Sequence, residues 1–205
     1  RLELGGNAIN NTLAIITAIS KLENVSSLTF RENVSSSIAV IDGVTMAPKS
    51  TYVCVDGGAT QDIAEAYYKA RSGGSDFNGT TSVVVTDPTS LQEITVKLDL
   101  PNDKPKFARV TVRAGTGVDP VSEIKTAVVN YANGLVDGEQ GFVVGGDVSA
   151  FEIGAAVNSQ VAGMFVSKCE IAENDGAPVF TTDTIPTEIF EKASIVEGDV
   201  TVILI

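Results

Sequence analysis

The segment Tyr52–Gly74, YVCVDGGATQDIAEAYYKARSGG, predicts a strand, a tight turn and a helix in succession. Its first four residues, Tyr52–Val55, all favour strands, and Asp56-Gly57-Gly58 is a turn signal. We expect the helix to begin with Thr60 as its N-cap and to stop at Gly73-Gly74, since glycine readily adopts the left-handed conformation that ends helices. A helix packed on the strand before it is therefore the unit from which we interpret the chain.

A strand, two glycines and a helix can also form a phosphate-binding loop, but these residues do not favour one. The segment has no G-x-G-x-x-G pattern, and no Lys-Ser/Thr pair follows the glycines. Asp56 and Asp62 would also place carboxylates at the helix N-terminus, where an anion should bind. We interpret Gly57-Gly58 as a packing turn and expect no nucleotide to bind.

Composition limits the classes of protein to which the chain can belong. Its 205 residues, 43% hydrophobic and 20% charged, suffice for one large or two small globular domains. A net charge of −12 repels nucleic acids and anionic membranes, so we expect neither as a direct partner. No signal peptide and no apolar run of the ~20 residues that span a membrane is present. The chain opens with Arg1-Leu2-Glu3-Leu4, without an initiator methionine, so we expect a fragment of a longer protein.

Strand alternation and helical spacing along the chain predict an α+β fold with mostly antiparallel or mixed sheets. The stretch 101–105, PNDKP, has the composition of a linker. It divides the prediction into two small helix-on-sheet domains, residues 1–102 and 103–205. Further elements are predicted over 7–21, 28–31, 38–41, 82–86, 93–100, 106–113, 121–135, 148–161, 164–172 and 198–205.

Three apolar patterns predict which faces are buried. In the first helix the pattern is Ile9, Leu13, Ile16 and Ile19, and in the helix over 121–135, which Asp119 is expected to cap, it is Val121, Ile124, Val128, Tyr131 and Leu135. The helix over 148–161 is apolar on much of its surface, so we expect it to be well buried. The apolar terminal strand, with Val202–Ile205, is expected to be buried on both faces, in the sheet or against a partner.

The residues offer little site chemistry. The chain has no histidine, which removes the usual general base and the commonest zinc ligand. Cys54 and Cys169 lie far apart in predicted strands and are expected to be two buried free thiols. The carboxylates are scattered, and those beside glycine or proline are typical turn residues: Asp42, Asp87, Asp137 and Asp175. We predict no catalytic residue, no metal ligand and no cofactor site, and we do not expect an enzyme.

Two stretches of the sequence, Tyr52–Asp87 and Glu93–Ala114, resemble the baseplate J family of contractile phage tails. The matching motifs are an acidic Gly-Gly turn after a strand, an "IA-A" helix, a glycine pair, a Gly-x-Thr strand, a "TVxF-P"-like strand and a "VxVRVTV"-like strand. In this sequence they are Val53–Gly58, Ile63–Ala66, Gly73-Gly74, Gly79–Thr86, Thr95–Pro101 and Phe107–Val112. The second half resembles the family in the helix Ile124–Gly138, and it departs from the family's usual "pGV" at Val161-Ala162-Gly163-Met164.

The resemblance implies a structural wedge protein of a contractile tail baseplate, without catalysis or cofactor. Such a protein would belong to a bacteriophage, a prophage or a related contractile injection device. It would bind other baseplate wedge proteins and copies of itself in the virion tail, after assembly in the bacterial cytoplasm. The family's N-terminal portion is missing here, and we expect the fragment alone to be monomeric because its contacts need the missing partners.

Two further functions stay open at this point. Paired α+β domains can hold a ligand between them, which would make the chain a small-molecule-binding regulatory module. A hydrolase fragment would instead use two carboxylates, and it predicts a cleft in which a carboxyl pKa is strongly raised.

Overall fold

The computed structural model describes residues 11–114 and 120–205. It has the predicted α+β fold, with helices packed on mixed and antiparallel sheets. The chain divides into two compact units, Arg1–Pro101 (unit 1) and Asn102–Ile205 (unit 2). Residues 7–10 of the predicted first helix, with Ile9, and the predicted cap Asp119 lie outside the described residues.

Unit 1 contains two helices and seven strands in its described part. They are α1 (Asn11–Ser20), β1 (Val25–Asn33), β2 (Ala39–Ile41), β3 (Val44–Met46), β4 (Ser50–Gly57), α2 (Thr60–Ala70), β5 (Asp76–Asn78), β6 (Thr81–Thr86) and β7 (Glu93–Leu98).

Strand β4 is the centre of unit 1. It pairs with β1 in antiparallel and with β5 in parallel register, and its Val53 and Val55 exchange backbone hydrogen bonds with Asp99. Residues 50–55 are all buried, since both faces of β4 are covered. Val53 and Val55 belong to the core cluster that contains Ile63 and Tyr67 of α2. The helix that follows the Gly-Gly turn therefore returns onto the strand that precedes it.

Three expectations for unit 1 were wrong in detail. Leu13 is exposed, and α1 buries Ile15 together with Ile19, which was predicted, because residues four apart share one helix face. The N-cap of α2 is Ala59 rather than Thr60, without a side-chain cap. Strand β3 was missed because its three residues follow the Asp42-Gly43 turn too closely to show a period of their own.

Unit 2 contains two helices and four strands in its described part. They are β8 (Asn102–Ala114), α3 (Val121–Ala132), α4 (Ala150–Gln160), β9 (Met164–Glu173), β10 (Glu191–Ser194) and β11 (Val200–Leu204). The stretch 102–105, expected as a linker, is the beginning of β8, where it pairs in parallel with β10. Proline is tolerated there because the first residues of a strand carry few ladder bonds.

The sheet of unit 2 is built around β8. Strand β9 pairs with one edge of β8 in antiparallel register, and β10 and β11 pair in parallel with the other edge. Ala108, Val110 and Val112 point into a core shared with α3 and α4. Since successive side chains of a strand point to opposite faces, the residues between them form the other face of the sheet.

Three expectations for unit 2 were also wrong. Leu135 lies beyond the end of α3 and is exposed, although Ile124, Val128 and Tyr131 are buried as predicted. Helix α4 is not buried all round, because Phe151 is 82% exposed. The stretch Val202–Ile205 pairs with β8 but is not buried on both faces, since Ile203 and the two residues after it are exposed.

In the described ranges, no helix is long and apolar enough to cross a membrane.

Candidate functional site

The Gly-Gly turn is a point of close chain packing. Gly57 has φ +79°, and a Cβ atom built there would lie 2.1 Å from the backbone oxygen of Asn24. The carboxylate of Asp56 accepts a hydrogen bond from the Ser26 hydroxyl. The turn thus packs closely against the start of β1, and the space beside Gly57 is too small for a phosphate.

The shifted carboxyl groups are those of turns and ion pairs. Hydrogen bonds from the backbone N–H groups of Ser90 and Thr89 and from the Tyr68 hydroxyl lower the pKa of Asp87 to about 2. Hydrogen bonds from Arg109 and Lys168 lower the pKa of Glu170 to about 2. Both shifts favour the ionised carboxylate, whereas a general acid of a hydrolase needs the opposite direction.

The two cysteines are free, as predicted. Cys54 is buried and Cys169 is half-buried, and burial raises the pKa of each thiol to about 12. A nucleophilic or metal-binding cysteine needs the thiolate form, which these environments oppose. No group of three or more Cys, Asp or Glu side chains in the described part of the chain could hold a metal ion.

A cleft of about 330 Å³ in unit 1 borders a buried hydroxyl that makes no hydrogen bond of ordinary geometry, although the side chains of Asp99 and Cys54 lie near it. The hydroxyl belongs to Tyr52, whose side chain is fully buried. Burial, followed by the neighbouring Cys54 and Asp99, raises its pKa. Lys97 and Asp76 also line the cleft. It can accommodate a water or a small polar molecule that hydrogen bonds to the hydroxyl.

The face of the unit 2 sheet that points away from helices α3 and α4 is exposed at its outer strands, although Glu170 is buried and the Phe180 ring covers Arg109. We call it the outer sheet face and define it by residues that the strand register places side by side on β9, β8 and β11: Phe165, Lys168, Glu170, Arg109, Thr111, Arg113, Thr201 and Ile203. Phe165 is 54% exposed and Ile203 is 40% exposed.

Three cationic side chains and one carboxylate make the outer sheet face basic, although the whole chain is strongly acidic. Arg109 and Lys168 both bond Glu170, at 2.9 and 2.7 Å, and the Arg109 guanidinium lies 4.0 Å from the centre of the Phe180 ring. Arg113 lies 5.5 Å from the centre of the Phe165 ring and has no ion-pair partner among the described side chains. Strand alternation alone predicts that Arg109, Thr111 and Arg113 share one side of β8, but it does not predict which residues of β9 and β11 lie beside them.

The end of α3 and the start of α4 form an acidic surface of unit 2, which adjoins the outer sheet face where Phe151 and Lys168 line one groove. We call it the helix-side surface and define it by Leu135, Asp137, Glu139, Phe151 and Glu152, all exposed. The Tyr131 hydroxyl donates a hydrogen bond of 2.9 Å to Glu152 and so ties the two helix ends together. Burial raises the pKa of Tyr131, and the hydrogen bond to Glu152 and the charges of Glu152 and Glu139 raise it further.

The exposed Phe151 also lines an apolar groove between α4 and β9. The groove has a volume of about 470 Å³ and includes Gly154, Ala155, Val166 and Cys169. Small residues on α4 open it, because Gly154 has no side chain to fill the space over Cys169. The groove therefore joins the helix-side surface to the edge of the sheet.

A comparison of the chain with models of known protein families finds no match, and a comparison with curated proteins finds no significantly similar sequence.

Proposed function

We propose that this chain is a structural component of the baseplate wedge of a contractile phage tail, or of the corresponding part of a prophage or contractile injection device. It acts through contacts with other baseplate wedge proteins and with copies of itself. The observation that carries the proposal is the order of the motifs that resemble the baseplate J family, because the motifs fall on successive elements of the fold and on the turns between them.

The acidic Gly-Gly motif ends β4, the "IA-A" motif lies in α2, and the glycine pair follows that helix. The Gly-x-Thr motif leads into β6, and its glycine has a structural reason. Gly79 has φ +148°, and a Cβ atom there would lie 2.4 Å from the backbone carbon of Leu98. Gly57 and Gly79 both allow a close approach of two chain segments, which supports a resemblance based on a shared fold.

Exposed apolar and aromatic side chains support a function in protein contact. Unit 2 exposes Phe151, Phe165, Leu135 and Ile203 on its helix side and on its open sheet face. Aromatic residues and arginine are enriched in protein interfaces, and Arg113 beside Phe165 is such a pair. Large apolar side chains on two surfaces of one small unit favour contacts with more than one neighbour.

The proposal is tested by the genomic position of the coding sequence and by labelling. We expect the gene to lie in a cluster of tail genes, and we expect antibodies against the purified chain to label the baseplate end of contractile tails from the same source. A gene outside any tail cluster, or label absent from tails that contain the full-length product, would contradict the proposal.

The small-molecule-binding module has one observation in its favour, the cleft with the unpartnered Tyr52 hydroxyl. Its test is an NMR screen of small polar compounds against the chain and against its Tyr52→Phe variant. Binding that depends on the hydroxyl and shifts signals of β4 and β5 would support this second function. Compounds that bind both proteins equally, or neither, would exclude the cleft as the site.

A further inference from the structure

We propose that a second copy of this chain covers the outer sheet face of unit 2 with its own helix-side surface. The inference names the two surfaces by which copies of the chain meet, and in that sense it rests on the proposed function. Its physical basis is a sheet with helices on one side only and opposite charge on two surfaces of the unit.

In the described part of unit 2, no helix packs on the outer sheet face, which the Phe180 ring covers beside Arg109. Helices α3 and α4 pack only on the side of Val110 and Val112. On the other side Phe165 and Ile203 are exposed on the two outer strands. A helix layer from a neighbouring molecule would bury these side chains in the way in which α3 and α4 bury the inner face.

The charges of the two surfaces are complementary. Arg113 has no ion-pair partner in the described part of the chain, and the exposed Lys168, which lies beside Thr111, pairs with Glu170. The helix-side surface presents Asp137, Glu139 and Glu152, and the sequence from 126 to 167 contains no lysine or arginine. Bringing two outer sheet faces together would instead oppose like charges, which costs stability.

The same argument favours this chain over a separate acidic protein as the occupant. The helix-side surface combines its carboxylates with two exposed apolar side chains, Leu135 and Phe151. These have the size and character needed to contact Phe165 and Ile203. The chain thus carries both halves of one contact on two different surfaces of one unit, which is the arrangement of a head-to-tail interface.

The contact is expected to be weak in isolation because the face is small. Three strands about 4.8 Å apart, with five residues of about 3.3 Å each, give a face of about 14 by 17 Å. This is well below the roughly 800 Å² per partner of a stable interface. A dilute chain that is monomeric is therefore compatible with the inference, and self-association should appear only at high concentration.

Sedimentation equilibrium of the whole chain tests the contact. At low ionic strength, over about 10 µM to 1 mM, we expect the average mass to rise continuously, as head-to-tail association predicts. High salt should reduce it, since salt screens exposed charges. Arg113→Glu should weaken association about ten-fold or more, whereas Lys21→Glu, the same charge reversal at an exposed position of unit 1, should leave it unchanged.

A mixing experiment identifies the two surfaces separately. An Arg113→Ala chain keeps its helix-side surface, and a chain with Asp137→Ala and Glu139→Ala keeps its outer sheet face. Neutral replacements are used because two charge reversals would complement each other. Neither should self-associate, but an equimolar mixture should form dimers that grow no further, because each variant retains one functional surface. Circular dichroism and thermal unfolding of each variant establish that it is folded.

Three results would overturn the inference. The first is a wild-type chain that stays monomeric up to about 1 mM at low salt, a concentration at which weak contacts are populated. The second is a set of variants that associate as the wild type does, and the third is a mixture of the two variants that forms no dimers. Tight binding of heparin to the basic face without self-association would assign that face to a polyanion instead. None of these results depends on where the gene lies, so the inference and the proposed function can fail independently.

Discussion

Replacing Gly57 by alanine should destabilise unit 1 by more than the usual cost of a side chain in the left-handed region. That usual cost is about 1–2 kcal/mol, and it applies because Gly57 has φ +79°. The added Cβ would also lie 2.1 Å from the backbone oxygen of Asn24. The two chain segments must then separate, and overpacking of this kind costs about 1–3 kcal/mol more.

Gly74→Ala is the matched control for this change. Gly74 has φ +87°, but nothing lies within 4 Å of the position of its Cβ atom. Its replacement should therefore cost only the conformational part, about 1–2 kcal/mol. The difference between the two variants measures the close approach of the Gly-Gly turn to the start of β1.

Urea unfolding followed by tyrosine fluorescence is the appropriate assay. The chain has no tryptophan, and Tyr52, Tyr67 and Tyr68 all lie in unit 1. With a slope of about 1.5 kcal/mol per molar urea, the Gly57→Ala midpoint should lie about 1–2 M below that of Gly74→Ala. Equal midpoints would refute the conclusion that the turn is held by contact with β1, and nucleotide binding by the wild-type chain would refute its interpretation as a packing turn.

Three further predictions concern buried hydroxyls, a paired carboxylate and the thiols. Tyr67→Phe removes a buried hydrogen bond of 2.7 Å and should lower the free energy of unfolding in urea by about 1 kcal/mol. Tyr52→Phe removes an unpartnered hydroxyl and should be neutral or stabilising. Equal losses would contradict the conclusion that only the Tyr67 hydroxyl forms a stabilising hydrogen bond. Because the pKa of Glu170 in the folded state is lowered to about 2, its ionised carboxylate stabilises the fold above about pH 4.5, and this contribution is lost as the pH falls towards 2. Glu170→Gln should therefore reduce the dependence of the urea midpoint on pH. Cys54 should resist a thiol reagent at pH 8 until the chain unfolds, and Cys169, half-buried, should react faster; a fully reactive Cys54 in the folded chain would show that β4 is accessible.

The sequence predicted the parts of the fold in which local pattern and tertiary packing agree. Three local patterns predicted the structure around them correctly. They are the alternation in β7, the helical spacing of Ile124, Val128 and Tyr131, and the glycines of the turns. These residues face one core, so a single period describes them. The fold class followed from such patterns, and so did the succession of strand, turn and helix over Tyr52–Gly74.

The errors have specific physical causes. The stretch 102–105 has the composition of a linker, but it is held in a strand by β10, which lies far along the chain and is too short to show a pattern. Leu135 continues the apolar spacing of α3, but the helix already ends at Ala132. Gly134 adopts φ +66° and turns the chain out of the helix before Leu135. Phe151 is apolar yet exposed, and no local signal distinguishes an apolar residue in a core from one at a surface.

The candidate surfaces were only partly predictable. Alternation showed that Arg109 and Arg113 share one face of β8, but the neighbours of that face come from β9 and β11, whose register cannot be read from one sequence. The Tyr52 cleft depends in the same way on residues brought together by the end of β7. Side chains close together in the sequence could thus be placed from the sequence, whereas side chains brought together by the pairing of distant strands could not.

The position of β8 in its sheet has a consequence for how the protein forms during synthesis. One edge of β8 pairs with β10 and β11, whose residues lie roughly 90 positions further along the chain, and such distant pairing slows folding. Unit 1, by contrast, finds every partner of its described strands within its own range. As the ribosome extends the chain, unit 1 can therefore mature first. Until β11 has been synthesised, the backbone groups on one edge of β8 have no partner strand. This unpaired edge makes β8 the segment of the nascent protein most exposed to aggregation.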